Sequence, residues 1–346
     1  MPSLPFAAVT PARIPLAFAL VALTAALSAC GSTDTGKGAA SPAQPPASSA
    51  DFPSPTGKSL LEMKRGLGPG PVLAPTVSVV GTGSDRYGFG LFDRARKQIA
   101  QTPVALYVER SGSRKVTGPF LAHDLPLAVR PAFQSETVAK DPDAAKSLYV
   151  TNLQVKKAGD YAVLGVAKLD GRLVATDPIY LKVGAASDVP NVGDQAPVID
   201  TPTVKSVGGD ISKIDTRTPP DSMHDVNFRD VVGKKPIILV FATPALCQSR
   251  VCGPVVDIAE EVKSETKPAD AAFIHMEIYN NNTIAPGCLE GTRPVTECQR
   301  PQVLAYHLPT EPWAFAIDRH GKIVARLEGA FSKDELVSAL KLAEAK

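Results

Sequence analysis

The stretch from Pro236 to Val262 limits the possible folds more than any other. Pro236-Ile-Ile-Leu-Val-Phe-Ala242 is an unbroken apolar run. Short runs rich in β-branched and aromatic residues read as a strand buried on both faces. The run empties into a loop carrying Cys247 and Cys252, with Gln248, Ser249, Arg250 and Val251 between them. Val251, Val255, Ile258 and Val262 then recur at the spacing of one helix face. Strand, cysteine-bearing loop and helix together suit thiol–disulfide exchange. A cysteine at a helix N-terminus lies among unpaired N–H groups at the positive end of the helix dipole, and both favour thiolate over thiol. Ser249 is a candidate N-cap, which would put Cys252 in the first turn.

The chain's 346 residues are enough for two domains. With 37 basic and 35 acidic residues the charge is nearly balanced, so composition gives no basis for a nucleic-acid partner. At the N-terminus Arg13 precedes an apolar run, Ile14 to Leu27, of signal-peptide length and short for a membrane span. The run ends in Leu27-Ser-Ala-Cys30. This tetrapeptide resembles the bacterial lipobox, which implies cleavage before Cys30 and lipidation of its thiol. Residues 30–57 are small, polar and proline-rich, the composition of a disordered tether. The implied location is the bacterial cell envelope, with the chain anchored by lipid to the outer face of the cytoplasmic membrane.

With Cys30 set aside, Cys247, Cys252, Cys288 and Cys298 remain, an even number for an oxidising compartment. The two local pairings, Cys247–Cys252 and Cys288–Cys298, require the least chain closure and are the expected ones.

Residues 58–185 read as all-β. Short segments such as Arg86–Phe92, Val104–Val108, Leu148–Val155, Tyr161–Val166 and Ile179–Val183, with Thr76–Val80 before them, are punctuated by Gly, Pro and Asp. Ala158-Gly-Asp-Tyr161 is similar to the tyrosine corner of immunoglobulin-like sandwiches, and the resemblance implies a β-sandwich here. His123, beside Asp124 in a proline-flanked stretch, reads as a surface turn.

Residues 186–202 form a linker into the last domain, 203–346, although a family resemblance begins near 190. Val192-Gly-Asp-Gln-Ala-Pro197 resembles the opening of the redoxin (AhpC/TSA-like) branch of the thioredoxin superfamily, which continues through a β-hairpin region to the central strand. Ala271–Tyr279 resembles the next parallel strand, and Glu311-Pro-Trp-Ala-Phe-Ala-Ile-Asp318 the family's cis-proline strand. Ser332-Lys-Asp-Glu335 is a capping box opening a final helix. The expected architecture is therefore a lipoprotein signal peptide (1–29) and tether, an all-β immunoglobulin-like sandwich, and an α/β thioredoxin-like domain.

The resemblance implies a thiol-disulfide oxidoreductase acting on exported protein thiols or a redox partner, with Cys247 and Cys252 as the reacting pair and no cofactor or metal. Pro312 would sit in the substrate groove and offer backbone pairing, and Trp313 would pack under or beside the site. Four residues between the cysteines is more than thioredoxins carry (two) or copper chaperones of the Sco type (three), so nucleophile and resolver cannot be assigned by position. Three other readings compete. Ser249-Arg-Val-Cys252 resembles the Ser/Thr-x-x-Cys of peroxiredoxins. A Sco-like copper site would need a histidine, and His307 and His320 flank the Pro312 strand. The third is a non-catalytic binding or assembly protein with a structural disulfide.

Overall fold

The computed structural model describes residues 47–346 apart from Pro268. The expected signal peptide and Cys30 lie outside the described residues. Among the described residues no helix is long and apolar enough to cross a membrane.

The first part is β-structure: β1 (Gly68–Pro69), β2 (Val72–Pro75), β3 (Gly83–Phe92), β4 (Val104–Arg110), β5 (Val116–Pro126), β6 (Ser147–Val155), β7 (Gly159–Leu169), β8 (Arg172–Ala175) and β9 (Ile179–Val183). The strands join in the order β1-β8-β7-β4-β5-β6-β3-β2, with β9 beside the start of β7. β5 makes the sheet curl. Its first half pairs with β4 and its last residues, His123–Pro126, pair with β6. Two layers therefore face each other across a core that includes Phe89, Leu91, Leu106, Tyr149, Leu153 and Val163. Tyr161 Oη donates to the Lys157 carbonyl at 2.7 Å, the hydrogen bond of a tyrosine corner.

Three sequence expectations change here. His123 lies on β5 opposite Val150 and is exposed; Gly118, Pro119 and Pro126 had hidden this strand. Thr76–Val80 is not a strand, apart from a bridge between Val80 and Val183. The Ser78 and Val79 N–H groups donate instead to the Glu328 carboxylate at 2.6 and 3.0 Å. The expected tether is packed at Phe52, although most of residues 47–57 are exposed. Phe52 joins Leu60 and Met63 of helix α1 (Leu60–Arg65) on the outer face of β4 and β7, against Ala105, Tyr107, Leu164 and Val166. Tyr107 Oη donates to the Pro53 carbonyl at 2.7 Å. With both faces covered, Val104–Val108 is apolar throughout instead of alternating.

A short helix, α2 (Glu136–Lys140), stands in the connection between β5 and β6. The last part contains α3 (Phe228–Val231), β10 (Ile237–Phe241), α4 (Cys252–Glu265), β11 (Ala272–Met276), α5 (Val295–Cys298), α6 (Pro301–Ala305), β12 (Trp313–Ile317), β13 (Ile323–Glu328) and α7 (Lys333–Glu344). Its sheet runs β11-β10-β12-β13, with β10 and β11 parallel and β12 antiparallel to both its neighbours. That order and those directions, with α4 joining the parallel pair and α7 closing the chain, make a thioredoxin-like fold. Ile238, Val240 and Ala242 face α4 and α7, while Ile237, Leu239 and Phe241 face the opposite core layer. Ser332 and Glu335 form the expected capping box on α7.

No hairpin precedes β10: residues 203–227 are turns and coil with one 3-10 turn, Ile211–Lys213. The expected linker is also packed. Val189, Ala196 and Ile199 join the second core layer, and Asp194 and Ile323 bring this segment alongside β13.

The β-structure and the thioredoxin-like part share one apolar cluster. Leu127, Leu148 and Val150 pack with Val251, Cys252 and Val255. Helix α4 is therefore buried on more sides than its apolar stripe alone would cover. Its two buried acids, Asp257 and Glu261, are satisfied from the connection holding α2. Ser135 N and Oγ donate to Asp257 at 2.9 and 3.1 Å, and Arg130 Nε donates to Glu261 at 2.6 Å.

Candidate functional site

The loop between β10 and α4 is held from three directions. Thr243 N donates to Glu311 Oε2 at 2.9 Å, and Thr243 Oγ1 accepts from Ile278 N at 3.1 Å. Ala245 N donates to Thr216 Oγ1 at 3.1 Å. On the far side the Arg250 guanidinium meets Asp141 at 2.5 Å, and Ala145 N donates to the Arg250 carbonyl at 3.3 Å.

Cys247 and Cys252 are disulfide-bonded, with Cα atoms 5.9 Å apart, within the usual span. Cys252 is the first residue of α4 and has no exposed surface; Cys247 lies in the loop and is half-buried. Val251, not Ser249, occupies the N-cap position and supplies no side-chain cap. Ser249 Oγ sits 3.2 Å from Cys247 Sγ instead. The helix dipole therefore acts on the buried sulfur, and solvent reaches the other. Cys247 opens on a cavity of about 380 Å³, with Thr137, Val138 and Asp141 from the β-structure on one side and Arg250 and Ile284 on the other.

Pro312 follows a cis peptide bond, the isomer the family resemblance implied. Pro312 itself offers no free pairing group: it lacks an N–H, and its carbonyl accepts from Gly329 N at 2.8 Å. The residue before it, Glu311, reaches the buried cysteine. Glu311 Oε2 lies 3.4 Å from Cys252 Sγ. Burial pushes the Glu311 carboxyl up to about 7 against the hydrogen bond from Thr243, and the nearby Glu277 charge adds to the rise. Its only sequence signal was an acid beside the cis-proline, with nothing to indicate burial.

Trp313 is not in the groove. It is fully buried, stacked on Phe315 on the sheet face away from α4, and its Nε1 donates to Thr310 Oγ1 at 3.1 Å. Alternation along β12 determines this: Ala314 and Ala316 face the α4 side, Trp313 and Phe315 the other. Cys288 and Cys298 form the second disulfide, which staples residues 281–301 and includes the end of α5. Ile284, in the same stretch, reaches the cavity. His307 and His320 are exposed, and the third potential ligand near the two cysteines is Glu311.

Beneath the loop lies a buried polar group that sequence reasoning missed. His275 Nδ1 is 2.7 Å from Asp221 Oδ2, and its Nε2 donates to the Ala242 carbonyl at 3.0 Å. Burial opposes charge on His275, but Asp221, Glu277 and Asp215 outweigh it and raise the ring to about 10. His224 and Asp215 complete the group. Glu277 Oε1 accepts from Thr216 N at 2.6 Å, and burial pushes this carboxyl up. Nearby, Arg217 Nε donates to Asp257 Oδ1 at 2.8 Å with both side chains buried. Residues 215–224 have no apolar periodicity, so only the tertiary fold gathers them.

No protein-family model matches the chain, and no curated protein matches it. Among solved structures it resembles a thioredoxin-like superfamily protein at 18% identity, over 36% of this chain and 89% of that one, with a TM-score of 0.29. It also resembles a thiol:disulfide interchange protein of the thioredoxin family from Chlorobium tepidum TLS at 14% identity, over 45% and 99% of the two chains, with a TM-score of 0.29. At these scores the likeness carries no argument by itself, and the thioredoxin-like fold rests on the order and directions of β10 to β13.

Proposed function

We propose that this chain is a thiol-disulfide oxidoreductase acting on exported protein thiols or a redox partner protein, with Cys247 as nucleophile and Cys252 as resolver. The observation that carries this reading is the asymmetry of the bonded pair: Cys247 opens on a cavity, while Cys252 is buried beside the Glu311 carboxyl. In the reducing direction, Cys247 thiolate attacks a substrate disulfide, forming a mixed disulfide and releasing one substrate thiolate. Cys252 gives its proton to the Glu311 carboxylate and attacks the Cys247 sulfur. The Cys247–Cys252 bond forms, and the second substrate thiolate leaves and takes a proton. Two electrons pass to the substrate disulfide; the reverse sequence oxidises a substrate dithiol.

The same reading puts the chain outside the cytoplasm as a lipoprotein anchored through Cys30, on the strength of Leu27-Ser-Ala-Cys30 and the apolar run before it. It takes the β-structure as an immunoglobulin-like sandwich, roughly the expected 58–185. The layers β2-β3-β6 and β4-β7-β9, joined through β5, and the Tyr161 corner support this.

A second reading, a structural disulfide in a binding or assembly protein, draws on the Arg250–Asp141 contact and on Val138 against Gly253, which restrain the loop. The reduction potential separates the two. A potential within the range of thiol-disulfide oxidoreductases, with one readily alkylated thiol at Cys247, supports exchange. A pair that stays oxidised in excess dithiothreitol overturns it. Sulfenylation of Cys252 by peroxide would instead favour a peroxidase, and stoichiometric Cu(I) on the reduced pair a copper carrier.

A further inference from the structure

His224 is almost wholly buried, and neither ring nitrogen has a hydrogen-bond partner. Its Nε2 lies 3.6 Å from Asp215 Oδ2 and 3.4 Å from Asp221 Oδ1, both buried. These separations are long for an N–H···O bond, which is about 2.7–3.2 Å. They are close to the edge of a tetrahedron built on zinc–ligand bonds of about 2.0–2.1 Å, about 3.3–3.4 Å. The geometry points to a divalent-metal site of the zinc type, held by Asp215, Asp221 and His224, with water completing the tetrahedron.

The surroundings suit such a site. Each carboxylate is fixed before any ion arrives. Asp215 accepts from Arg217 N through Oδ1 and from Asp221 N through Oδ2, both at 2.7 Å. Asp221 Oδ1 accepts from Met223 N at 2.8 Å, and its Oδ2 is 2.7 Å from His275 Nδ1. His275 is thus occupied at both nitrogens and acts from outside, orienting Asp221 as outer-shell partners orient metal ligands. Two carboxylates, one imidazole and no thiolate suit a zinc-type ion of borderline softness more than Cu(I).

The site would also account for an otherwise weakly organised segment. Residues 203–227 hold one 3-10 turn and no strand or longer helix, yet bury Ile214, Met223 and His224. A metal whose ligands come together only on folding contributes its binding free energy to that folding. The ion would tie Asp215, Asp221 and His224 together within this segment, while the separate hydrogen bond from His275 to Asp221 joins it to β11 and, through the Ala242 carbonyl, to the start of the cysteine loop.

The test uses the full chain, made without a histidine tag and analysed for metals by mass spectrometry as isolated. About one zinc per chain is expected, falling below about a tenth in His224→Gln and Asp215→Asn. It should persist in the Cys247→Ser/Cys252→Ser double variant, which separates it from a thiolate site near Glu311. Stripping with chelator should lower Tm, and Zn²⁺ should restore it. Should the ligand variants not fold, Co²⁺ is loaded into stripped wild type with its cysteines alkylated. Tetrahedral ligand-field bands without thiolate charge transfer are then expected. A stripped chain that takes up neither Zn²⁺ nor Co²⁺, or zinc that disappears with the two cysteines, overturns the site and leaves a purely ionic His–Asp cluster. None of these readouts depends on thiol exchange.

Discussion

Replacing Glu311 by Gln tests whether the carboxyl beside Cys252 is held near neutrality by its burial. The folded chain raises this group from 4.5 to about 7. It therefore binds its proton more tightly folded than unfolded, worth about 3 kcal/mol at 1.36 kcal/mol per pH unit, or about 2 once partial hydration of the side chain is allowed for. The sign follows from the upward direction. The stabilisation is complete below about pH 4.5 and is lost as pH rises through about 7. Gln stays neutral and keeps an oxygen for the Thr243 N–H, so its profile lacks this loss. The assay is urea unfolding of the oxidised protein, wild type against variant, across that window. Because other groups titrate alike in both, the difference isolates Glu311. Wild type should lose about 2–3 kcal/mol more than the variant between about pH 4.5 and 7.5. Profiles parallel within about 0.5 kcal/mol would refute the burial argument.

Other consequences are more local. Phe52→Ala should cost about 3 kcal/mol in chemical denaturation, since the ring is buried against β4 and β7; a loss below about 1 would mean that the segment before α1 does not pack. Trp313→Phe should cost about 1–2 kcal/mol yet leave the rate of disulfide reduction unchanged, because the indole lies on the sheet face away from α4. A rate change without a matching stability change would put Trp313 back at the groove. Asp141→Ala should change stability by less than about 1 kcal/mol, as the Arg250 pair is partly exposed, while speeding dithiothreitol reduction of Cys247–Cys252 by loosening the cavity wall. Unaltered reduction kinetics would count against that contact restraining the loop.

By itself, the sequence determined those elements whose signal is local. A continuous apolar run gave β10, the likeness of Ala271–Tyr279 to a family strand gave β11, a capping box gave α7, and the spacing of four cysteines gave both disulfides. Tyr161 announced its corner through its immediate neighbours. Only the tertiary structure decided what depends on distant partners. Thr76–Val80 alternates like a strand, but the Glu328 carboxylate takes its donors. Phe52 sits in a tether-like composition, yet meets an uncovered sheet face. Ser249 suits an N-cap by type, but the chain turns it toward Cys247. Whether Glu311 is an ordinary surface acid or a carboxyl near neutrality depends on burial, which its flanking residues do not encode. The roles of the two cysteines divide the same way. Their spacing fixed that they could bond, and packing from the β-structure decided which sulfur solvent can reach.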